Sequence, residues 1–281
     1  MKKPLRRKFS FSILLFVLFG CFSLFTGESL KAQVAGVSAS KLTTIDATLV
    51  PEHTLEAEPS FVYLFGRKAF DNDGKLVNVF PNPDTAVLLK DLFFRFTYGT
   101  AKHLEIGTSF AASLSTFSFG AKYRFVEHKK FLAVALLGFN FSSQSNFGIR
   151  HTGFFGKFIS IAGGVALTEN FSPDFSLDVE LQYQNTFCYD GSLSDNYYFD
   201  SGLGYYVFHH TLQIAGGFSY QYHHLKKEED GPDGYLLSFH PGVTIETGKS
   251  FIIVFYTPID LIGRNQGRFA GFSFAFTFSV Q

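Results

Sequence analysis

Residues 267–281, GRFAGFSFAFTFSVQ, alternate strictly. Ala270, Phe272, Phe274, Phe276, Phe278 and Val280 fall on one face, and Gly271, Ser273, Ala275, Thr277 and Ser279 on the other. Successive side chains of a strand point to opposite faces, so this strand has an oily face and a small, polar one. In a soluble sandwich the oily face would be core. Here the pattern recurs along the chain behind an export signal, a combination that points to a transmembrane β-barrel of an outer membrane.

Moving outward from that strand, twelve strands are expected, near 53–65, 87–99, 102–113, 116–127, 130–142, 154–168, 174–187, 196–208, 210–223, 235–247, 250–258 and 267–280. About ten residues tilted near 45° span a bilayer, and nearly every segment is that long. In 174–187, Phe175, Leu177, Val179, Leu181 and Tyr183 alternate with Ser176, Asp178, Glu180, Gln182 and Gln184. In 116–127, Phe117, Phe119, Ala121, Tyr123 and Phe125 oppose Ser118, Gly120, Lys122 and Arg124. In 102–113, Leu104, Ile106 and Phe110 oppose Glu105, Gly107 and Ser109. Connections alternate short and long. Thr100–Ala101, His128–Lys129, Glu169–Pro173, His209 and Gly248–Lys249 are short, whereas 66–86, 143–153, 188–195, 224–234 and 259–266 are long; only 114–115 breaks the rhythm. Outer-membrane barrels have short periplasmic turns and longer external loops, so both chain ends are expected on the periplasmic side. DNDG at 71–74 and EEDGPDG at 228–234 carry turn chemistry.

Residues 1–32 have the layout of a cleaved signal peptide. Lys2, Lys3, Arg6, Arg7 and Lys8 precede an apolar run from Phe9 to Phe25, and a polar stretch leads to Ala32. Leu18-Phe19-Gly20-Cys21 is a poor lipoprotein box, because Phe19 is bulky and the apolar run continues past Cys21. Residues 33–51 are then a periplasmic extension or a partial plug of the lumen, and 52–281 the barrel.

The chain has 24 basic and 24 acidic residues. Removing 1–32 takes away six basic residues and Glu28, leaving 18 basic and 23 acidic, a net of −5. That balance argues against a nucleic-acid partner, which needs a basic footprint. Only Cys188 remains, so no disulfide framework is expected. The 38 Phe and 13 Tyr suit a lipid-facing wall with aromatic girdles. The expected partners are outer-membrane lipid, the barrel assembly machinery and a small-molecule solute, and the expected location is the outer membrane of a Gram-negative bacterium. No GxGxxG, P-loop, zinc spacing or heptad appears, so no cofactor, metal or catalytic set is expected.

LFFRFTYGTAKHLEIGTSF at 92–110, with Tyr98-Gly99 and Leu104-Glu105-Ile106-Gly107, resembles the strand-turn-strand of the outer-membrane family named for the MetA pathway of phenol degradation. HTLEAEPSFVY at 53–63 and RFAGFSFAFTF near the C-terminus resemble that family's first and last strands. The resemblance covers most of residues 50–281 and implies a porin-like transporter for small hydrophobic or aromatic compounds. The chain departs from the usual barrel terminus by ending Phe278-Ser279-Val280-Gln281 rather than in an aromatic.

A charged Arg or Lys facing lipid at the midplane costs about 2–4 kcal/mol, so charges within strands are expected to face a polar lumen. The lumen-lining candidates are Glu56, Glu58, Arg95, Glu105, Lys122, Arg124, Asp178, Glu180 and His240. They could orient a solute. They could equally form a structural ion-pair network filling a narrow barrel, since twelve strands lie between filled eight-stranded barrels and open sixteen-stranded ones. His209-His210 and His223-His224 sit at a turn and a loop edge and suit solvated residues better than chelation. Two other functions compete with transport: a structural or loop-mediated surface-binding protein, and an outer-membrane lipolytic enzyme. The enzyme would need an outward Ser-His pair, and none emerges, because His240 and Ser238 alternate inward.

Overall fold

The computed structural model describes residues 34–39, 43–82, 84–142, 158–188, 193–208, 211–226, 232–247 and 250–280. The expected signal peptide with Cys21, His209, His210, Gly248, Lys249 and the loop at 143–153 lie outside the described residues.

The strands are β1 (Leu55–Phe70), β2 (Leu76–Asn78), β3 (Val87–Ala101), β4 (Leu104–Ala111), β5 (Thr116–His128), β6 (Phe131–Ser142) and β7 (Phe158–Ser172). They continue as β8 (Phe175–Cys188), β9 (Leu193–Val207), β10 (Leu212–Leu225), β11 (Gly234–Glu246), β12 (Phe251–Tyr256), β13 (Ile259–Arg264) and β14 (Gln266–Val280). Each long strand pairs antiparallel with its sequence neighbour, and β14 returns to β1 over a register running from Leu55 opposite Val280 to Phe70 opposite Gln266. The fold is therefore an all-β, closed, up-and-down barrel of twelve staves. Closure leaves no unpaired edge among the twelve staves, which is what hydrocarbon demands of a spanning sheet.

Two expectations of the connections are corrected. The span 259–266, expected as a loop, is mostly strand: β12 and β13 together make one stave, and β13 pairs with β11 from Tyr235 opposite Arg264 to Phe239 opposite Ile259. The stave breaks at Thr257-Pro258 because proline has no N–H to give the ladder. The span 66–86, also expected as a loop, contains the end of β1 and a hairpin to β2, with Lys68 opposite Asn78. The DNDG turn joins them: Asp71 Oδ1 accepts the Asp73 and Lys75 amides at 2.9 and 2.8 Å, and Gly74 takes φ 76°.

Alternation assigns the two faces. On β6, Leu137 is 62% exposed while its neighbour Leu136 is 4% exposed. Ile161, Leu181, Tyr205, Ile214 and Phe218 are likewise turned outward. Their aromatic neighbours pack along the wall, as in the stacked pairs Phe117–Phe141 and Tyr63–Phe272 at 5.1 and 5.7 Å. The interior is polar and charged, with Arg95, Glu105, Lys122, Asp178 and Glu180 all buried.

Candidate functional site: the lumen and the segment within it

Residues 34–37 and 43–50 lie inside the barrel. Their sequence is small and mixed, VAGV and TTIDATLV. Val34, Val37, Ile45 and Ala47 form an apolar cluster with Val134, Leu136, Ala162 and Ala166 of β6 and β7. A row of glycines admits the first stretch. Gly107, Gly120 and Gly138 are direct cross-strand partners on β4, β5 and β6. A Cβ at Gly107 would lie 1.9 Å from the Gly36 carbonyl oxygen, one at Gly120 2.3 Å from that of Ala35, and one at Gly138 3.0 Å from Val34 Cα. Residues 34–36 thus run along the inner face of the wall at one residue per strand. At Gly107 and Gly120 a side chain larger than hydrogen would push the segment off, whereas at Gly138 a shift of a few tenths of an ångström would admit one.

The segment's peptide groups leave water, so they need partners. Lumen side chains supply them. Gln182 Oε1 accepts the Val34 amide at 2.7 Å, Glu180 Oε2 that of Ile45 at 2.6 Å, and Thr168 Oγ1 that of Ala47 at 2.8 Å. Arg95 Nη1 donates to the Val37 carbonyl at 2.6 Å, and Thr97 Oγ1 to that of Gly36 at 2.9 Å. Glu105 is the most engaged: it accepts the Ser38 amide and hydroxyl at 2.8 Å each and the Val50 amide at 2.7 Å. Lys122 neutralises it at 3.3 Å and also donates to the Ser38 carbonyl at 3.0 Å, with Asp46 Oδ1 at 3.5 Å. A buried charge is tolerated only when paired and fully hydrogen-bonded, and the segment completes that bonding here.

The nine sequence candidates therefore separate. Arg95, Glu105, Lys122 and Glu180 hold the segment directly. Asp178 accepts a 2.7 Å bond from Thr168, the residue that receives the Ala47 amide. Glu56 meets Ser279 at 3.3 Å, and Arg124 meets Glu127 at 3.1 Å and the Lys102 carbonyl at 3.3 Å. Glu58, Arg95 and His240 line a separate cavity.

That cavity, about 410 Å³, occupies the lumen towards the external loops, and residues 34–37 and Ile45 form its floor. Glu58 is bound to Arg95 at 2.6 Å and accepts from Thr277 at 2.6 Å. His240 Nε2 lies 2.8 Å from Ser219 Oγ, a contact made across two strands and not legible in either alone. Ser238 Oγ donates to Asp260 at 2.6 Å, and the other oxygen of Asp260 accepts the Phe269 amide at 2.8 Å. Asp260 thereby bridges β13 and β14, whose ladder is otherwise reduced to Ile259 opposite Ala270. His223 and His224 diverge: His223 lines the cavity and bonds Asn196, while His224 bonds Asp233 at 2.9 Å. Among the described residues no group of three or more His, Cys, Asp or Glu could hold a metal ion.

Sequence reasoning missed three of the residues that receive the segment. Thr97, Thr168 and Gln182 are ordinary inward residues of their strands. The glycine row carried a signal in part, since Gly107 and Gly120 sit at inward positions whose neighbours are Glu105, Ser109, Ser118 and Lys122.

No protein family matches the sequence, and no curated protein does. Solved structures do match. The KdgM porin is 12% identical with a TM-score of 0.47, over 81% of this chain and 99% of that chain. The toluene transporter TbuX of Ralstonia pickettii is 9% identical with a TM-score of 0.37, over 83% of this chain and 90% of that one. An outer membrane channel from Pseudomonas putida F1 is 12% identical with a TM-score of 0.60, over 85% of this chain and 99% of that one. At that identity the likeness is one of fold, and the fold of this chain is that of an outer-membrane β-barrel.

Proposed function

We propose that this chain is a channel of the outer membrane of a Gram-negative bacterium, admitting small solutes from outside and closed on its periplasmic side by residues 34–39 and 43–50. One observation carries the reading. The lumen is divided into a cavity towards the external loops and a region where the segment takes up the charged side chains. The outward Phe and Tyr face lipid, and the terminal strand is presented to the assembly machinery. A barrel of this kind has no energy source of its own, so solute moves down its gradient once the segment shifts.

The charged belt acts here as a latch. Polar groups that bind the segment exchange it for water when it moves, so opening does not strand them. The apolar set Val34, Val37, Ile45 and Ala47 is what favours closure.

The test is conductance and liposome swelling with the full chain. Gly120→Val places its Cβ against the segment alone, since the Ala35 carbonyl at 2.3 Å and Val37 Cγ1 at 2.9 Å are the nearest atoms. Valine also suits a strand. Flux should rise several-fold. In the opposite sense, Val34→Cys with Gly138→Cys joins positions whose Cβ atoms would lie 3.3 Å apart, close to disulfide geometry. Oxidation should close the channel and a reductant restore it. If both variants form heat-modifiable barrels and conduct like the parent in either redox state, the reading fails.

A further inference from the structure

We infer that Arg67, Lys68 and Arg268, at the external end of the outer wall, hold the phosphate group of an outer-leaflet glycolipid. The inference needs the barrel in an outer membrane but not an open lumen.

Strand β14 fixes the direction of the cluster. Gly267 and Phe269 line the cavity, so Arg268 between them shares the outward face with Ala270 and Phe272. Lys68 is the direct cross-strand partner of Arg268, and both are exposed. Residues directly opposite on an antiparallel pair hold their Cβ atoms about 5 Å apart, and like charges there repel. The register of β1 shifts between Gly66 and Lys68, and the extra residue is Arg67, also exposed. Three cations thus crowd the seam where the first and last strands close the barrel.

No carboxylate among the described residues pairs with any of the three. On its other side Lys68 faces Asn78 of β2. Further cations at this end are engaged: Lys75 meets Asp73 at 3.6 Å, Lys226 meets Asp195 at 3.3 Å, and Arg264 donates to Asn72 at 2.9 Å. Asp71, in the adjoining turn, spends one carboxylate oxygen on the Asp73 and Lys75 amides.

The height is that of a lipid headgroup. Leu55, Ala57, Pro59, Phe61, Tyr63 and Phe65 are the outward residues of β1. At ~3.3 Å per residue and a tilt near ~40° they climb about 25 Å, the height of an outward apolar band. Lys68 and Arg268 are the next outward pair, on the side of the long loops and therefore in the outer leaflet. Acyl chains would lie below them on Phe65 and its exposed partner Leu88.

A phosphate monoester turns the repulsion into a bridge. It carries nearly two negative charges. The Arg268 fork takes two of its oxygens and the Lys68 ammonium a third. A choline headgroup would bring its own cation to the cluster and fits it worse.

The test counts lipid bound to the full chain in detergent micelles by native mass spectrometry. The probes are lipid A bearing both phosphates, the same lipid with the phosphates removed, phosphatidylcholine and inorganic phosphate. Phosphorylated lipid A should bind at least about tenfold tighter than the dephosphorylated form or phosphatidylcholine. Lys68→Gln combined with Arg268→Gln should abolish that preference, Arg67→Gln should weaken it, and Lys226→Gln should leave it unchanged. Heat-modifiable gel mobility gives a readout that a merely structural role would not move. Without lipid the double variant should resist heat at least as well as the parent, because the repulsion is gone. With phosphorylated lipid A only the parent should gain resistance. Equal binding of the dephosphorylated lipid overturns the inference, as does a folded double variant that keeps the preference or one that loses heat resistance without lipid. Inorganic phosphate displacing the lipid at equal concentration also overturns it, since the site would then take a free anion. A barrel that conducts without this preference removes the inference alone, and one that shows the preference without conducting removes the channel reading alone.

Discussion

Lys122 Nζ lies 3.3 Å from Glu105 Oε1, and neither side chain has any exposure. The two residues are direct partners on β5 and β4, so the barrel alone would bring them together. It would not complete their hydrogen bonding. Ser38 does so, its hydroxyl donating to Glu105 at 2.8 Å and accepting from Lys122 at 2.8 Å. The ion pair and the position of the interior segment are one arrangement.

Lys122→Met removes the cation and leaves Glu105 buried beside Asp46. Removing one partner of a buried pair costs about 3–5 kcal/mol. The temperature at which the barrel loses its compact gel mobility should fall, and residues 43–50 should become cleavable by protease. Lys122→Met combined with Glu105→Gln should recover part of the loss. A single variant as heat-resistant as the parent would contradict this account of the pair.

Glycine-to-alanine changes should separate by what their new methyl group meets. At Gly120 it lies 2.3 Å from the Ala35 carbonyl oxygen, whereas at Gly163 the nearest atom is the Leu136 carbonyl oxygen at 3.6 Å. Gly120→Ala should loosen the segment and raise its hydrogen exchange. Gly163→Ala should stay within about 0.5 kcal/mol of the parent. Equal exchange in the two variants would refute the role of the glycine row.

Leu137→Arg should lower the yield of folded barrel, because an outward arginine near the midplane costs about 2–4 kcal/mol. Ser273→Arg should assemble well, since Ser273 borders the cavity. Heat-modifiable protein recovered from membranes measures both. Comparable yields would mean the faces are misassigned.

Asp233, just before β11, accepts hydrogen bonds from Tyr222 at 2.8 Å, His224 Nδ1 at 2.9 Å and the Leu225 amide at 3.2 Å. Burial raises its pKa, but these bonds outweigh burial and hold it below the usual 3.8. A depressed carboxylate stabilises the fold above its unfolded pKa and stops doing so as pH falls through the folded one. The clasp should therefore persist through neutral and mildly acid conditions and release only below the usual carboxylate range. Hydrogen exchange at Leu225 against pH reads this directly, and Asp233→Asn should abolish the dependence. Release near neutrality in the parent would contradict it.

The barrel was legible because lipid and lumen impose opposite demands on alternate residues, and β14, β8 and β5 record them one after another. The stave made of β12 and β13 was less so. Pro258 interrupts it, Asp260 and Gly263 look like loop residues, and only pairing with β11 shows them to be strand. The inward direction of Lys122, Glu105 and Glu180 followed from alternation, but what they face did not. VAGVSAS at 34–40 has no period, and its small residues would suit a linker equally well.

The sequence by itself determined a twelve-stave wall with an apolar outside and a charged inside, since both follow from residues two apart on one strand. The tertiary structure alone decided that Gly107, Gly120 and Gly138 form one row, that Ser219 meets His240, and that the segment closes the bonding of Glu105. Those relations depend on register between strands and on a chain entering the lumen. Neither leaves a local pattern, because the partners come from distant parts of the chain and are chosen by shape and by unmet hydrogen bonds.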